Sequence, residues 1–331
     1  MKPEETKAQS IAAYTQWAKQ WREHAEIHRH RNPSYLPMDA FRNVGVGRAL
    51  VLAANGSSLE DDIPALQAKH PETAVMACDK SFGHLVDRGI RVDFLLVCDA
   101  NVNYERYLKP WADKLKDTVL ISNVCANPLW TDPALGYKAR IFFVCEDVID
   151  SHVEFSRISG CGNLIPAATN VSNTMVVAAT QSTNTGRNNL MGFDKILLTG
   201  FDYSWCDDAN YYAFDADGGG KRHYMRHVYL IDGKGRPTYT SSNLMFSARW
   251  LGEYIKAFNL PIVQCSARTI LGLKWTGKLA DHVNYRHRPQ DRDEVFQIQR
   301  IMAELQAKAA ELTKKVGSMG IDHWRAFAAS V

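Results

Sequence analysis

Between residues 49 and 265, short apolar runs alternate with amphipathic stretches, and no other feature narrows the fold of this chain as far. The runs fall at 49–54, 73–78, 92–98, 118–122, 141–145, 195–200 and 261–265. Each has the length of a strand. None shows the strict alternation of a sheet with one wet face, so both faces are expected to be covered. The stretches at 61–69, 80–88, 104–115, 167–181 and 242–258 read as helices that supply the cover. Strands and helices alternating in this way build an α/β fold: an open, mostly parallel sheet with helices on both faces.

Helical segments flank this region. Ile11, Ala12, Tyr14, Trp17 and Trp21 recur at helical spacing over 8–28, and Asn32-Pro33 ends that helix. Its basic cluster, His28 to Arg31, reads as a solvated helix end. Toward the other terminus Val295, Ile298, Ile301, Met302, Leu305 and Ala309 mark one face of another helical stretch. The expected organisation is an N-terminal helical segment over 1–45, a central domain over 46–285 and a C-terminal helical segment over 286–331. The terminal helices offer surfaces for self-association into a homo-oligomer.

Composition excludes several classes. A chain of 331 residues, 46% hydrophobic and 23% charged, has ordinary globular composition. A formal net charge of +3 is too small for a nucleic-acid-binding surface. The seven cysteines, at 78, 98, 125, 145, 161, 206 and 265, form no Cys-x-x-Cys pair, and an odd number cannot all pair internally. They read as reduced and largely structural. No run resembles a signal peptide or approaches the ~20 apolar residues of a membrane span. A cytoplasmic protein is expected.

Chemistry-bearing residues gather where the expected strands end. Ala53-Ala54-Asn55-Gly56-Ser57-Ser58 follows the first strand. Small residues let the chain turn tightly there, and free amides at a helix start hold an anion such as a phosphate; an ordinary turn with a serine cap is the bland alternative. The full Gly-x-Gly-x-x-Gly pattern is absent. Asp79 and Asp99 end the next two strands, where ligands bind in open α/β sheets, although aspartate is also a good helix cap. Thr169 to Thr174, with Ser172 and Asn173, places hydroxyls and amides at the start of an apolar helix, either to hold a phosphate or sugar or to cap.

The densest cluster runs from Thr199 to His227. It contains Asp202, Tyr203 and Ser204, then Tyr211, Tyr212, Phe214 and Asp215, then His223, Tyr224 and His227. Connections of this length are commonly functional or disordered, and the aromatic content argues against disorder. A histidine titrates near neutrality and can take a proton from an attacking hydroxyl, while a tyrosine can donate to a departing phosphate. Gly218-Gly219-Gly220 reads as a hinge.

These segments resemble a Rossmann-like group that includes motility accessory factors that glycosylate flagellin, bacterial lipooligosaccharide sialyltransferases and 6-hydroxymethylpterin diphosphokinase-like proteins. The resemblance covers roughly 48–281. Leu52 to Leu59 is similar to the group's Gly-Asn-Gly-Pro-Ser-Leu turn, with Ser57 in place of proline. Thr199-Gly200-Phe201-Asp202 and Tyr212-Ala213-Phe214-Asp215 resemble the sialyltransferase Ser-Gly-Ile-Asp and Tyr-Ala-Phe-Asp segments. His223-Tyr224-Met225-Arg226-His227 is similar to a His-Tyr-x-x-His segment whose second histidine is the general base.

The resemblance implies His227 as base and Tyr212 as the group that steadies the leaving phosphate. The family's other tyrosine falls at Ser204, with Tyr203 one place earlier. Asn55, Gly56, Ser57, Ser58, Asp79, Asp99, Ser172, Asn173 and Asp202 are the expected nucleotide contacts. Asp79 and Asp99 stand where the sialyltransferases carry asparagines, and they point instead to the other two branches.

Three functions follow as expectations. The first is a metal-independent, inverting glycosyltransferase that moves a nonulosonic-acid sugar from a CMP-linked donor to a hydroxyl of a glycan or protein acceptor. The second is a diphosphokinase using ATP and Mg²⁺, for which Asp79 and Asp99 would be ligand or metal contacts. The third is a nucleotide-binding module without catalysis.

Overall fold

The structure, a computed structural model, describes residues 3–32, 35–182, 187–188, 190–205, 212–215, 228–231, 237–266 and 268–285. In chain order the strands are β1 (Ala49–Ala53), β2 (Ala74–Cys78), β3 (Phe94–Val97), β4 (Val119–Asn123), β5 (Ala139–Glu146), β6 (Leu164–Pro166), β7 (Gln181–Ser182), β8 (Arg187–Asn188), β9 (Lys195–Thr199), β10 (Val228–Ile231), β11 (Pro237–Thr240) and β12 (Ile262–Gln264). The α-helices are α1 (Pro3–Arg31), α2 (Ile63–Gln67), α3 (Asp79–Asp87), α4 (Tyr104–Tyr107), α5 (Ser151–Ser159), α6 (Val171–Thr180) and α7 (Ser242–Phe258).

Eight strands form one parallel sheet in the order β12-β9-β1-β2-β3-β4-β5-β6. All seven strands expected from the apolar runs are present. β1, β2 and β4 are buried along their whole length, as covered faces require. Leu50, Leu52, Met76, Leu96 and Ile121 face α6 and α7 in one core. Val51, Val75, Leu95 and Leu120 face α2 and α3 in the other. Burying a side chain of this kind stabilises by about 1.5–3 kcal/mol, so the two cores hold the sheet from both sides.

Several elements differ from their sequence reading for local reasons. The helix expected over 104–115 is broken: α4 stops at Tyr107 and a 3-10 segment, Lys109–Asp117, follows. Pro110 lacks an amide proton and disfavours helical geometry at the residue before it, which ends the first piece. The stretch at 61–69 begins as a 3-10 turn, Ser57–Asp62, and becomes α-helical only at Ile63. α6 starts at Val171 rather than 167, because Asn170 Oδ1 accepts from the Asn173 amide at 2.9 Å and caps it.

The end of α1 is only partly solvated: Arg29 and His30 are exposed, but His28 is not. His28 is fully buried; its Nδ1 donates to the Val124 carbonyl at 2.6 Å, and its Nε2 lies 2.8 Å from Thr131 Oγ1. Arg22 and Tyr14 both bond Glu154 on α5 at 2.6 Å, and Ala25 is buried beside Phe142, Val144 and Phe155. α1 is therefore fastened across the β4–β5 side of the sheet. Its polar-looking end is satisfied by backbone that only tertiary folding brings near. Among the described residues no helix is long and apolar enough to cross a membrane. The described cysteines, 78, 98, 125, 145, 161 and 265, are free thiols.

Candidate functional site

From β1 the chain winds outward to β6, then returns past α6 to β9 on the other side of β1. The connections leaving β1 and β9 thus run in opposite directions, and a crevice opens between their carboxyl ends. A cleft of about 220 Å³ lies there. It is lined by Ala54 to Gly56, Cys78 to Lys80, Asp99, Asn170 to Ser172, Gly200 to Ser204, Tyr212 and Leu244.

The two strand ends are tied together by backbone. The Gly56 amide donates to the Gly200 carbonyl at 2.8 Å, and a Cβ on Gly56 would sit 2.5 Å from that oxygen. Only glycine permits this approach. Gly200 has φ of +68° and a Cβ there would meet the Ala54 carbonyl at 2.5 Å. Asp202, 1% exposed, accepts from the Ser58 amide at 2.8 Å and from Ser58 Oγ at 2.5 Å. Arg268 donates to Ser57 Oγ at 3.0 Å and pairs with Asp61. Ser57 and Ser58 are accordingly spent on building the turn and do not line the cleft. Asp202 does line it, with both oxygens already engaged by Ser58.

Asn55 presents the opposite case. Its carbonyl accepts from the Ala213 amide at 3.0 Å, but both atoms of its side-chain amide are buried and, among the described residues, have no hydrogen-bond partner. Leaving such groups unmade costs about 1–3 kcal/mol each, and the residue borders an open cleft. One donor and one acceptor thus stand ready for a ligand.

Charge is concentrated on the β2 and β3 side. Asp79 is 5% exposed, accepts from the Lys80 amide at 2.7 Å, and burial pushes its pKa up to about 6. Asp99, exposed at the rim, accepts from the Asn101 amide at 2.8 Å and adds to the repulsion on Asp79. Lys80 brings a cation whose Nζ lies 4.2 Å from the Tyr212 ring centroid. The segment at 212–215 is held against the turn: the Phe214 amide donates to Glu60 Oε1 at 2.6 Å, and Arg88 sits 4.0 Å over the Phe214 ring.

The remaining expected residues divide. Ser172 lines the cleft and donates to Asn170 Oδ1 at 2.9 Å. Asn173, fully buried, is engaged by Thr169, by the Ser247 carbonyl and by the Tyr203 hydroxyl, and does not reach the cleft. Tyr203 lines the cleft with φ of +55°, an uncommon conformation for a bulky residue, and burial raises its phenol pKa. Its neighbour Ser204 also lines the cleft and donates to the Arg268 carbonyl at 2.7 Å. His227 and Gly218-Gly219-Gly220 lie outside the described residues, as does the helical stretch at 286–331.

Lys80 lines the cleft and Arg268 braces the turn beneath it, yet neither was singled out by sequence reasoning. Lys80 carried a readable signal, a cation directly after an acid at a strand end. Arg268 carried none, because it reaches Ser57 across 211 positions of chain.

Comparison with known proteins places this geometry in a family. No curated protein matches the sequence. Among solved structures, the MAf glycosyltransferase from Magnetospirillum magneticum AMB-1 shares the fold, with a TM-score of 0.54 and 13% identity. The match covers 89% of this chain and 45% of that one, so the chain spans less than half the length of the enzyme it matches. The family model described as 6-hydroxymethylpterin diphosphokinase MptE-like matches residues 21–208, which takes in the turn at Asn55, both strand-end acids, the start of α6 and Asp202, but stops short of Tyr212 and His227. That match spans more than half of the sequence, and the chain belongs to the MptE-like family.

Proposed function

We propose that this protein is a glycosyltransferase that takes a nonulosonic-acid sugar from a CMP-linked donor and passes it to an acceptor hydroxyl. The observation that carries the reading is the side-chain amide of Asn55, buried without a hydrogen-bond partner among the described residues, in the cleft between β1 and β9, where α/β sheets bind nucleotides. The fold shared with a glycosyltransferase supports it. Asn55 and the start of α6 bind the nucleotide, and Lys80 beside Tyr212 offers positive charge and a hydroxyl to the leaving phosphate. The acceptor oxygen bonds to the anomeric carbon as that carbon's bond to the phosphate oxygen breaks. CMP leaves with the electron pair, the acceptor proton passes to His227, and the configuration inverts.

A second reading, phosphoryl transfer from ATP with Mg²⁺ to an alcohol, is favoured by Asp79 and Asp99 on one rim of the cleft. A divalent cation would offset the repulsion between these carboxylates and a polyphosphate. Thermal unfolding with CMP, CDP, UDP, GDP and ATP, each with and without Mg²⁺, separates the two. Metal-free stabilisation by CMP, about 2.7 kcal/mol at a hundredfold excess over Kd, is expected, and Asn55→Ala should remove most of it. Stabilisation by ATP alone and only with Mg²⁺ would replace the first reading by the second. His227→Ala should abolish transfer and leave CMP binding intact; retained turnover would remove His227 as base.

A further inference from the structure

A second cavity, about 440 Å³, adjoins the cleft and shares Asp99, Asn170 and Val171 with it. Ser10, Ala13 and Trp21 of α1 form one wall; the carboxyl ends of β3 to β5, the start of α5 and the start of α6 form the rest. Trp21 and Phe155 meet edge to face at 5.9 Å in its lining.

We propose that this cavity holds the acceptor, and that the acceptor is an uncharged alcohol with a largely apolar body. The assignment rests on the transferase reading above. Three features carry it. Among the described residues lining the cavity there is no lysine or arginine, whereas Asp99 and Asp147 both contribute carboxylates. An anionic body would meet like charge without compensation.

The inner polar groups are, moreover, already committed. Asn123 donates to Cys145 Sγ and accepts from the Cys125 amide, Thr174 donates to the Asn170 carbonyl, and Ser151 donates to Asp147. Cys98, Cys125 and Cys145 are held as neutral thiols by burial. The interior therefore offers apolar and sulfur surface, which favours an apolar body. Finally, the edge shared with the cleft is polar, at Asp99 and Asn170. An acceptor hydroxyl at that edge faces the donor carbon while its body lies under α1.

The test uses two alcohols that differ in charge, 4-(hydroxymethyl)benzamide and 4-(hydroxymethyl)benzoate, followed by saturation-transfer NMR on the full chain without nucleotide. The amide should bind about tenfold more tightly than the carboxylate, and Asp147→Asn should narrow that ratio. Ala13→Trp on α1 and Ala168→Phe on the opposite wall should each weaken the amide about tenfold. Both should keep their unfolding midpoints and their stabilisation by CMP. Equal binding of the two alcohols, or amide binding unchanged in both filled variants, overturns the proposal. Loss of CMP binding with amide discrimination intact would instead sink the transferase reading. If either filled variant unfolds early, the Asp147→Asn ratio decides alone.

Discussion

The Asp79 carboxylate sits 5% exposed at the end of β2, and burial lifts its pKa from 3.8 to about 6. An acid whose folded pKa is raised binds more protons folded than unfolded between those values. Its contribution is therefore favourable at low pH and is lost as pH rises through 3.8 to 6. Above pH 6 the native state carries a penalty of about 1–3 kcal/mol. Asp79→Asn keeps an acceptor for the Lys80 amide and removes the charge. It should raise stability by that amount at pH 8 in denaturant melts, with the gain shrinking toward pH 4. A gain independent of pH would show that the cost is not ionisation. Such a residue is retained against stability, as ligand sites commonly are. Asn55, Asp79 and Asp99 were legible because a polar residue directly after an apolar strand marks the ligand side of an α/β sheet. Ser57, Ser58 and Asn173 looked equivalent in sequence, yet their partners Arg268, Asp202 and Tyr203 turn them to structural work.

Elements were read well where apolar content filled them and poorly where it did not. β1, β2, β4 and β9 are near-continuous apolar runs; β6 has three residues, and α5 buries only Phe155 and Ser159, so neither left a period to read. α1 was visible, but its attachment was not. His28 is the clearest instance. Burial lowers its pKa from 6.5 to about 4, and the Val124 carbonyl, which can only accept, fixes the proton on Nδ1. A base with a depressed folded pKa gives stability that is present above 6.5 and is lost as pH falls toward 4. From pH 7 to pH 5 the loss is about 2 kcal/mol. His28→Asn, which retains a donor near Nδ1, should begin less stable at pH 7 but lack this part of the slope. Melts of both proteins at the two pH values test it, and parallel slopes would mean that His28 protonation does not loosen α1.

At the scale of the whole molecule, a linear reading supplies the strands but not their order. Nothing local to Lys195–Thr199 says that β9 lies between β1 and β12, and that placement creates the cleft. The second cavity is equally non-local, since α1 forms its wall from more than 75 positions away in the chain. The Gly56–Gly200 and Ser58–Asp202 bonds join the early and late halves of the sheet beneath the cleft, so a nucleotide seated there contacts both at once. One binding event should then protect segments distant in sequence by the same factor. Hydrogen exchange with saturating CMP should slow at 55–58, 79–81, 171–174 and 201–205 together, while β5 and β6 exchange as before. Asn55→Ala should erase the protection at all four segments, including those it does not touch. Protection confined to 55–81 would mean that the ligand sits on the early half alone and that β9 only frames the cleft.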